Sequence, residues 1–347
     1  MELEVREIKD RSVWEAFVRQ RAHTLFVQSW SYGEFYRSLG ENFWVYGVYS
    51  GEDLLGGSLV VSVHARRGSF LYLPYGPLLA GDAGNPESAA IFRALFDYLA
   101  DWARFHSYSF IRVSPFFDDT PALRSVFGKL GFHNAPMHIL AEHTWLLNLE
   151  PAEEDLLARM DKTHRQLIRR CENEGVRAVM ETGAGAVGDF NRLHDQTARR
   201  HNFHRFSDGY VLKEFGAFAP QNEALVIHGY LPDGSLDASG VFMYYGSMAA
   251  YRHGASLMAN KRLPSSYLVQ WEAIREAKRR GFKWYNFWGV APDAAPKSHP
   301  FKGITHFKKG FGGSGKDLLP CQDLPVSWRY WINWTVEKVR RVKRGFA

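Results

Sequence analysis

Residues 284–313 read WYNFWGVAPDAAPKSHPFKGITHFKKGFGG. The first five are aromatic-rich and stopped by Gly289, the pattern of a short strand. A Pro-rich loop follows over 292–300, and the stretch closes on HFKKGFGG, with Lys308 and Lys309 set between Phe307 and Phe311. An ammonium beside apolar rings and glycine-permitted backbone can hold an anion or a developing oxyanion. The same residues also read as a solvated basic turn before a C-terminal strand.

Working outward, the order around this stretch occurs twice. Upstream come a strand in LYLPYGP (71–77), a helix over 87–105, a strand FIRVS (110–114) and then FGKLGF (127–132). Downstream come AYRHGAS (250–256), a helix over 265–280, WYNFWGV (284–290) and then FKKGFGG (307–313). Each helix has a sequence reason. Ile91, Leu95, Tyr98, Leu99 and Trp102 make a stripe at helical spacing; Ser265 after Pro264 opens the other, and Gly281 ends it. A repeat of that length predicts a duplicated α/β domain.

The remaining elements fit that frame. A strand is expected over 2–8, helices over 11–19 and 28–40, and a hairpin of 43–49 with 54–64. A helix over 123–130 ends at Gly131. One long helix over 153–174 is stopped by Gly175, with Leu156, Met160, Leu167 and Cys171 as its apolar stripe. A helix over 187–200, a hairpin of 224–230 with 239–245 and a strand over 249–255 follow. A boundary between Pro136 and Pro151 gives two domains, 1–145 and 146–325, with 326–347 as a C-terminal helix.

Bulk composition narrows the class. The 347 residues carry a net charge of +6, with 46% hydrophobic and 15% aromatic residues. With an isoelectric point near 9.2, that favours polyanionic partners: nucleic acid, phosphorylated substrates or an anionic membrane surface. Two cysteines, Cys171 and Cys321, make neither a disulfide framework nor a metal signature, which predicts a reduced, cytoplasmic protein. The N-terminus lacks the apolar core of a signal peptide, and no run of about 18 apolar residues exists to cross a membrane. His201 and His204, with His194 before them, lack a carboxylate at matching spacing, so no metal is expected.

The order of hairpin, strand, helix, strand and short helix resembles the GNAT acyltransferase fold written twice. GNAT enzymes cradle the pyrophosphate of acyl-CoA on a Gly-rich loop, Q/R-x-x-G-x-G/A, at a helix N-terminus. The loops before the two central helices, LLAGDAGNPES (78–88) and MANKRLPSSY (258–267), do not match it. The chain more specifically resembles the FemABX family of tRNA-dependent peptidyltransferases, which build the cross-bridges of bacterial peptidoglycan. The segments that carry this likeness are FVQSWSYGEFYRSLG (26–40), YLPYGPLL (72–79), residues 143–176, residues 251–290 and GITHFKKGFGG (303–313), in family order.

The resemblance implies two tandem GNAT-like domains, aminoacyl-tRNA as donor and no cofactor. The acceptor it implies is the side-chain amine of a stem peptide, on UDP-MurNAc-pentapeptide or lipid II. It implies that Lys308, with Phe307 before it, stabilises the tetrahedral intermediate beside the tRNA 3′ end. Proton traffic then falls to the substrates and the tRNA ribose hydroxyl. It places substrate contacts at Arg37, where the family has Lys, and at Arg200, Arg205, Tyr210 and Tyr251. Arg159, Lys162, Arg165 and Arg169 match the family's basic helix, either tracking phosphates or forming a solvated face. The chain departs from the family at Tyr75, where Arg is usual. Without sustained heptads between 175 and 225 it resembles the compact branch that lacks a coiled-coil arm.

The tail, WRYWINWTVEKVRRVKRGF (328–346), reads either as an interfacial helix at the inner membrane face or as a docking helix. Two further functions stand beside aminoacyl transfer. One is a GNAT-fold acyltransferase with a non-tRNA donor acting on cell-surface polysaccharide. The other is a non-catalytic protein that binds a peptidoglycan precursor or RNA.

Overall fold

Two parallel strand pairs, each bridged by one long helix, organise the chain. The computed structural model describes residues 2–65, 68–201, 203–296, 299 and 301–343. The first half runs β1 (Glu4–Glu7), α1 (Arg11–Arg19), α2 (Trp30–Ser38), β2 (Phe43–Ser50), β3 (Asp53–Ala65), β4 (Gly68–Pro74), β5 (Leu78–Leu79), α3 (Pro86–Phe105), β6 (Phe110–Ser114), α4 (Pro121–Lys129) and β7 (His133–Asn134). Then come β8 (His143–Asn148), α5 (Glu153–Arg159), α6 (Lys162–Asn173), β9 (Arg177–Glu181), α7 (Ala184–His201), α8 (Asp208–Phe218), β10 (Ala224–Tyr230), β11 (Leu236–Tyr245), β12 (Met248–Ser256), α9 (Ser265–Arg279) and β13 (Trp284–Gly289). The chain ends with α10 (Lys302–Lys309), β14 (Ser314–Asp317), β15 (Gln322–Pro325) and α11 (Arg329–Lys343).

In the first unit the sheet order is β1-β2-β3-β4-β6-β15-β7, with β5 on β3. β4 and β6 run parallel, in register from Leu71 with Ile111 to Pro74 with Ser114. A parallel pair needs a crossover, and α3 supplies it. α3 starts at Asn85, whose side chain accepts from the Glu87 N–H, with Pro86 in the first turn. Its apolar stripe, Ile91, Phe92, Leu95, Phe96 and Leu99, packs with Leu71, Ile111 and Val113 of the sheet.

The second sheet has the order β14-β8-β13-β12-β11-β10-β9. Here β12 and β13 are the parallel pair and α9 is the crossover. Their pairing is short: Met248 with Trp284, Ala249 with Tyr285 and Ala250 with Asn286. Trp271, Ile274 and Ala277 of α9 pack with Ile227, Phe242, Tyr285 and Phe287 of the sheet.

Three sequence expectations change. The chain divides by contact into Met1–Thr144 with Ala291–Pro300 and Lys316–Ala347, and Trp145–Val290 with Phe301–Gly315. Residues 316–325 were expected in the second domain, with 326–347 a separate tail, but both belong to the first unit. β15 lies between β6 and β7, pairing Gln322 with Val113 and Leu324 with Ile111. What fixes it there is electrostatic. The buried Asp323 carboxylate takes Arg112 bidentately at 2.7 and 2.8 Å, and Glu337 of α11 reaches the same guanidinium at 2.7 Å. The expected single helix over 153–174 is two helices, because Met160 and Asp161 are extended and the Asp161 N–H donates to the Gly310 carbonyl. The KKG segment is the end of a helix, α10, rather than a solvated turn. In addition, Ser265 does not cap α9; its hydroxyl donates to Asp237 Oδ2 at 2.6 Å.

Candidate active site

α10 places two lysines on different surroundings. Lys308 is buried at 7% exposure, while the Lys309 ammonium lies 4.8 Å from the Trp145 ring centroid. Lys308 Nζ donates to the Gly289 carbonyl oxygen at 2.6 Å and stands 5.8 Å from the Tyr251 ring centroid. Burial lowers its pKa to about 7. The end of the helix that carries it is held by close packing. A Cβ at Gly310 would lie 1.9 Å from the His164 ring. That ring sits 4.9 Å from Phe311 and 4.8 Å from Tyr267, and its Nε2 lies 3.0 Å from the Phe307 carbonyl oxygen. Phe307 packs on Tyr267 and Phe311. It therefore supports the lysine through this cluster.

The ammonium sits where the parallel pair has separated. Pairing of β12 and β13 ends at Ala250 with Asn286, so Tyr251 and Gly289 lie beyond the paired residues. In open α/β sheets ligands bind beyond the carboxyl ends of strands, where they diverge. Two local features shape this end. Arg252 is an extra residue in β12, because Val241 pairs with His253 and Phe242 with Tyr251. Trp288 has a φ of 65°, rare for a bulky residue, and its N–H donates to Asn286 Oδ1 at 2.7 Å.

Next to Tyr251 in β12 begins a charge cluster that sequence reasoning missed. Glu214 of α8 is fully buried and takes Arg252 Nη2 at 2.8 Å and His253 Nε2 at 2.7 Å. Burial opposes ionisation of Glu214, but Arg252 and then His253 overcome it and hold the carboxyl at about 2. His253 is pushed down by burial. The pair fixes the guanidinium 5.1 Å from the Trp288 ring and 5.9 Å from Phe206, which stacks on Tyr210 at 4.4 Å. A run of rings and one cation thus leads from Tyr210 to Trp288, next to the carbonyl that holds Lys308. Only the adjacency of Arg252 to Tyr251 in YRHGAS could have drawn attention to it, since Glu214 lies 38 residues away.

The other nominated residues scatter. Tyr251 and Tyr210 belong to the arrangement just described. Arg205 pairs with Asp208 at 2.5 Å and Asp195 at 3.4 Å, lining a cleft of about 480 Å³ with Asn191 and Arg192. Arg200 is turned back on its own unit, Nη2 donating to the Ser256 carbonyl at 2.6 Å. Arg37, in the first unit, is exposed, pairs with Glu34 at 2.6 Å and covers the Phe43 ring. Arg159, Lys162 and Arg169 are exposed, but the break at Met160 keeps them from forming one continuous face. Arg165 departs from the phosphate-tracking expectation, since it donates to the Ala158 carbonyl at 2.9 Å and to that of Met160, closing the end of α5. Tyr75 donates to the Ala141 carbonyl at 2.9 Å. His194 is buried; His201 is exposed beside Arg200.

Polar side chains of the protein's own stand at the starts of both central helices. Asn85 caps α3. At α9 the buried Asp237 carboxylate accepts from Ser265 Oγ and from the Ala259 N–H at 2.7 Å. A carboxylate fixed near a helix N-terminus repels a phosphate there.

Two sheets, each built on a strand–helix–strand unit with one parallel pair, define a duplicated GNAT-like protein. The chain belongs to the FemAB family, which it matches over residues 130–232 and 226–338. A segment of 104 residues is 27% identical to aminoacyltransferase FemB of Staphylococcus epidermidis, covering 30% of this chain and about a quarter (25%) of that protein. A crystal structure of FemX superposes with a TM-score of 0.83 at 15% identity, over 97% of this chain and 100% of the other. A tandem GNAT protein of clavulanic acid biosynthesis gives 0.58 at 14% identity, over 94% and 99%. These structural likenesses show the fold.

Proposed function

We propose that the chain is an aminoacyltransferase that moves an amino acid from aminoacyl-tRNA to the side-chain amine of a peptidoglycan-precursor stem peptide. The observation that carries this reading is Lys308, a buried cation at the diverged ends of β12 and β13. Membership of the FemAB family supports it. So does Asp237 at the start of α9, which disfavours a CoA pyrophosphate there.

In the reaction the acceptor amine attacks the ester carbonyl carbon. A C–N bond forms and the carbonyl oxygen gains negative charge. The Lys308 ammonium, redirected from the Gly289 carbonyl, donates to that oxygen and lowers the barrier. Collapse breaks the ester C–O bond, and the proton lost by the amine passes to the ribose oxygen that leaves. Tyr251 walls the ammonium in, and the Glu214–Arg252 pair fixes the Trp288 turn that presents Gly289. Arg159, Lys162 and Arg169 offer exposed charge for tRNA phosphates. Tyr210 and Tyr251, in the arrangement around Trp288 and Lys308, are assigned to precursor contacts.

The test is transfer of radiolabel from a pool of aminoacyl-tRNAs to UDP-MurNAc-pentapeptide and, separately, to lipid II. RNase-sensitive transfer to either supports the reading. Transfer from acyl-CoA in place of aminoacyl-tRNA would overturn it.

A further inference from the structure

We propose that the outward face of α11 is a docking surface for an anionic phospholipid bilayer. The helix already has a settled inner face. Tyr330 is fully buried against Phe110 at 5.3 Å, Asn333 is buried, and Glu337 reaches Arg112 at 2.7 Å. Those positions recur at the spacing of one helical face. The opposite side carries a second apolar stripe, with the Trp331 ring at its edge 5.6 Å from the His133 ring. Trp331, Ile332 and Val339 are about half exposed, at 48, 49 and 51%, and Val342 is 65% exposed. Trp328, just before the helix, is 71% exposed. These are five of the fifteen large apolar side chains that lie exposed among the described residues.

Charge decides what covers the stripe. Arg329, Lys338 and Arg340 are exposed along its flanks. The single acid of α11, Glu337, points inward to Arg112. A second copy of the same face would set cations against cations across a dry contact, which is unfavourable. Nucleic acid would neutralise the cations but leave tryptophan, isoleucine and valine against phosphate and water. A bilayer surface takes both parts. Headgroup phosphates meet the flanking cations, tryptophans sit at the interface, and the aliphatic stripe enters the acyl boundary. At 15 residues the helix is about 22 Å long, too short to span the hydrocarbon core, so it lies in the plane of the surface. This inference rests on α11 alone and is independent of the transfer reaction.

The test is co-sedimentation of the full chain with vesicles of phosphatidylcholine, with and without phosphatidylglycerol. Wild type is expected on the mixed vesicles, with binding that weakens as salt rises. An Ile332→Glu, Val339→Glu double variant should bind at least tenfold more weakly, with unchanged melting, because both side chains stand about half exposed on the outward side. An Arg329→Ser, Lys338→Ser, Arg340→Ser variant should lose about fivefold per cation, on the order of a hundredfold together. Failure of wild type to sediment overturns the proposal. So does a double variant that binds like wild type. A dimer in light scattering that the double variant abolishes would assign the stripe to a second copy. Loss of tRNA binding by the double variant, with vesicle binding intact, would assign it to nucleic acid.

Discussion

Replacing Lys308 with Met should raise stability and slow transfer sharply. Burial lowers the lysine pKa from 10.5 to about 7. Between those values the unfolded chain binds the proton more tightly than the folded one, so stability rises with pH across that window. The cost of keeping the charge in the fold is full below about pH 7. At roughly 1.4 kcal/mol per unit it is on the order of 4–5 kcal/mol. Lys308→Met is therefore expected to be more stable than wild type near pH 6, with the gain shrinking toward pH 10. Urea denaturation at both pH values measures this. Transfer should fall by about 10² to 10³, the cost of removing one oxyanion donor.

The pH dependence of kcat/KM then separates two roles for the lysine. The acceptor amine attacks as the free base, with an ordinary pKa of about 10.4. If the ammonium is the working form, log kcat/KM climbs about one unit per pH unit up to about pH 7 and levels off until about pH 10. If neutral Lys308 served as a base, the slope would be about two below pH 7 and would continue at about one above it. Lys308→Met should lose the break near 7 altogether. A continued rise of the wild-type profile above pH 7 would refute the oxyanion role.

Other perturbations follow from the same contacts. Glu214→Gln leaves Arg252 buried without a carboxylate and should cost about 3–5 kcal/mol in urea at neutral pH. Because Glu214 is held at about 2, its contribution is present above pH 4.5 and lost as pH falls from there toward 2, so Glu214→Gln should flatten that limb of the acid titration. Gly310→Ala should destabilise by about 1–3 kcal/mol through collision with His164, and a His164→Ala partner should recover part of the loss in a double-mutant cycle. Asp323→Ala should cost about 3–5 kcal/mol and lower the first unit's melting temperature, since Arg112 would keep Glu337 but lose its bidentate partner.

The repeated strand–helix–strand order was legible because its signals are local. The stripe from Ile91 to Trp102 and the glycines at 131, 175 and 281, with φ of 87, 83 and 81°, declare helices and their ends without help from the rest of the chain. What escaped is set by distant contacts. Nothing local in QDLP announces a strand; its pairing depends on Asp323 meeting Arg112, 211 residues earlier. The break at Met160–Asp161 interrupts a good apolar stripe because Asp161 is tied to Gly310. Lys308 and Lys309 are equivalent in sequence, and only helical phase sends one inward and the other over Trp145. The bulge at Arg252 and the left-handed Trp288 have no composition signal at all.

The most direct measurement is single-turnover transfer of labelled amino acid from aminoacyl-tRNA to the precursor, with wild type and Lys308→Met at saturating substrate. Transfer by wild type, slowed about 10² to 10³-fold in the variant with tRNA and precursor affinities unchanged, is the predicted result. Equal rates for the two proteins would contradict it. So would no transfer by wild type to either UDP-MurNAc-pentapeptide or lipid II.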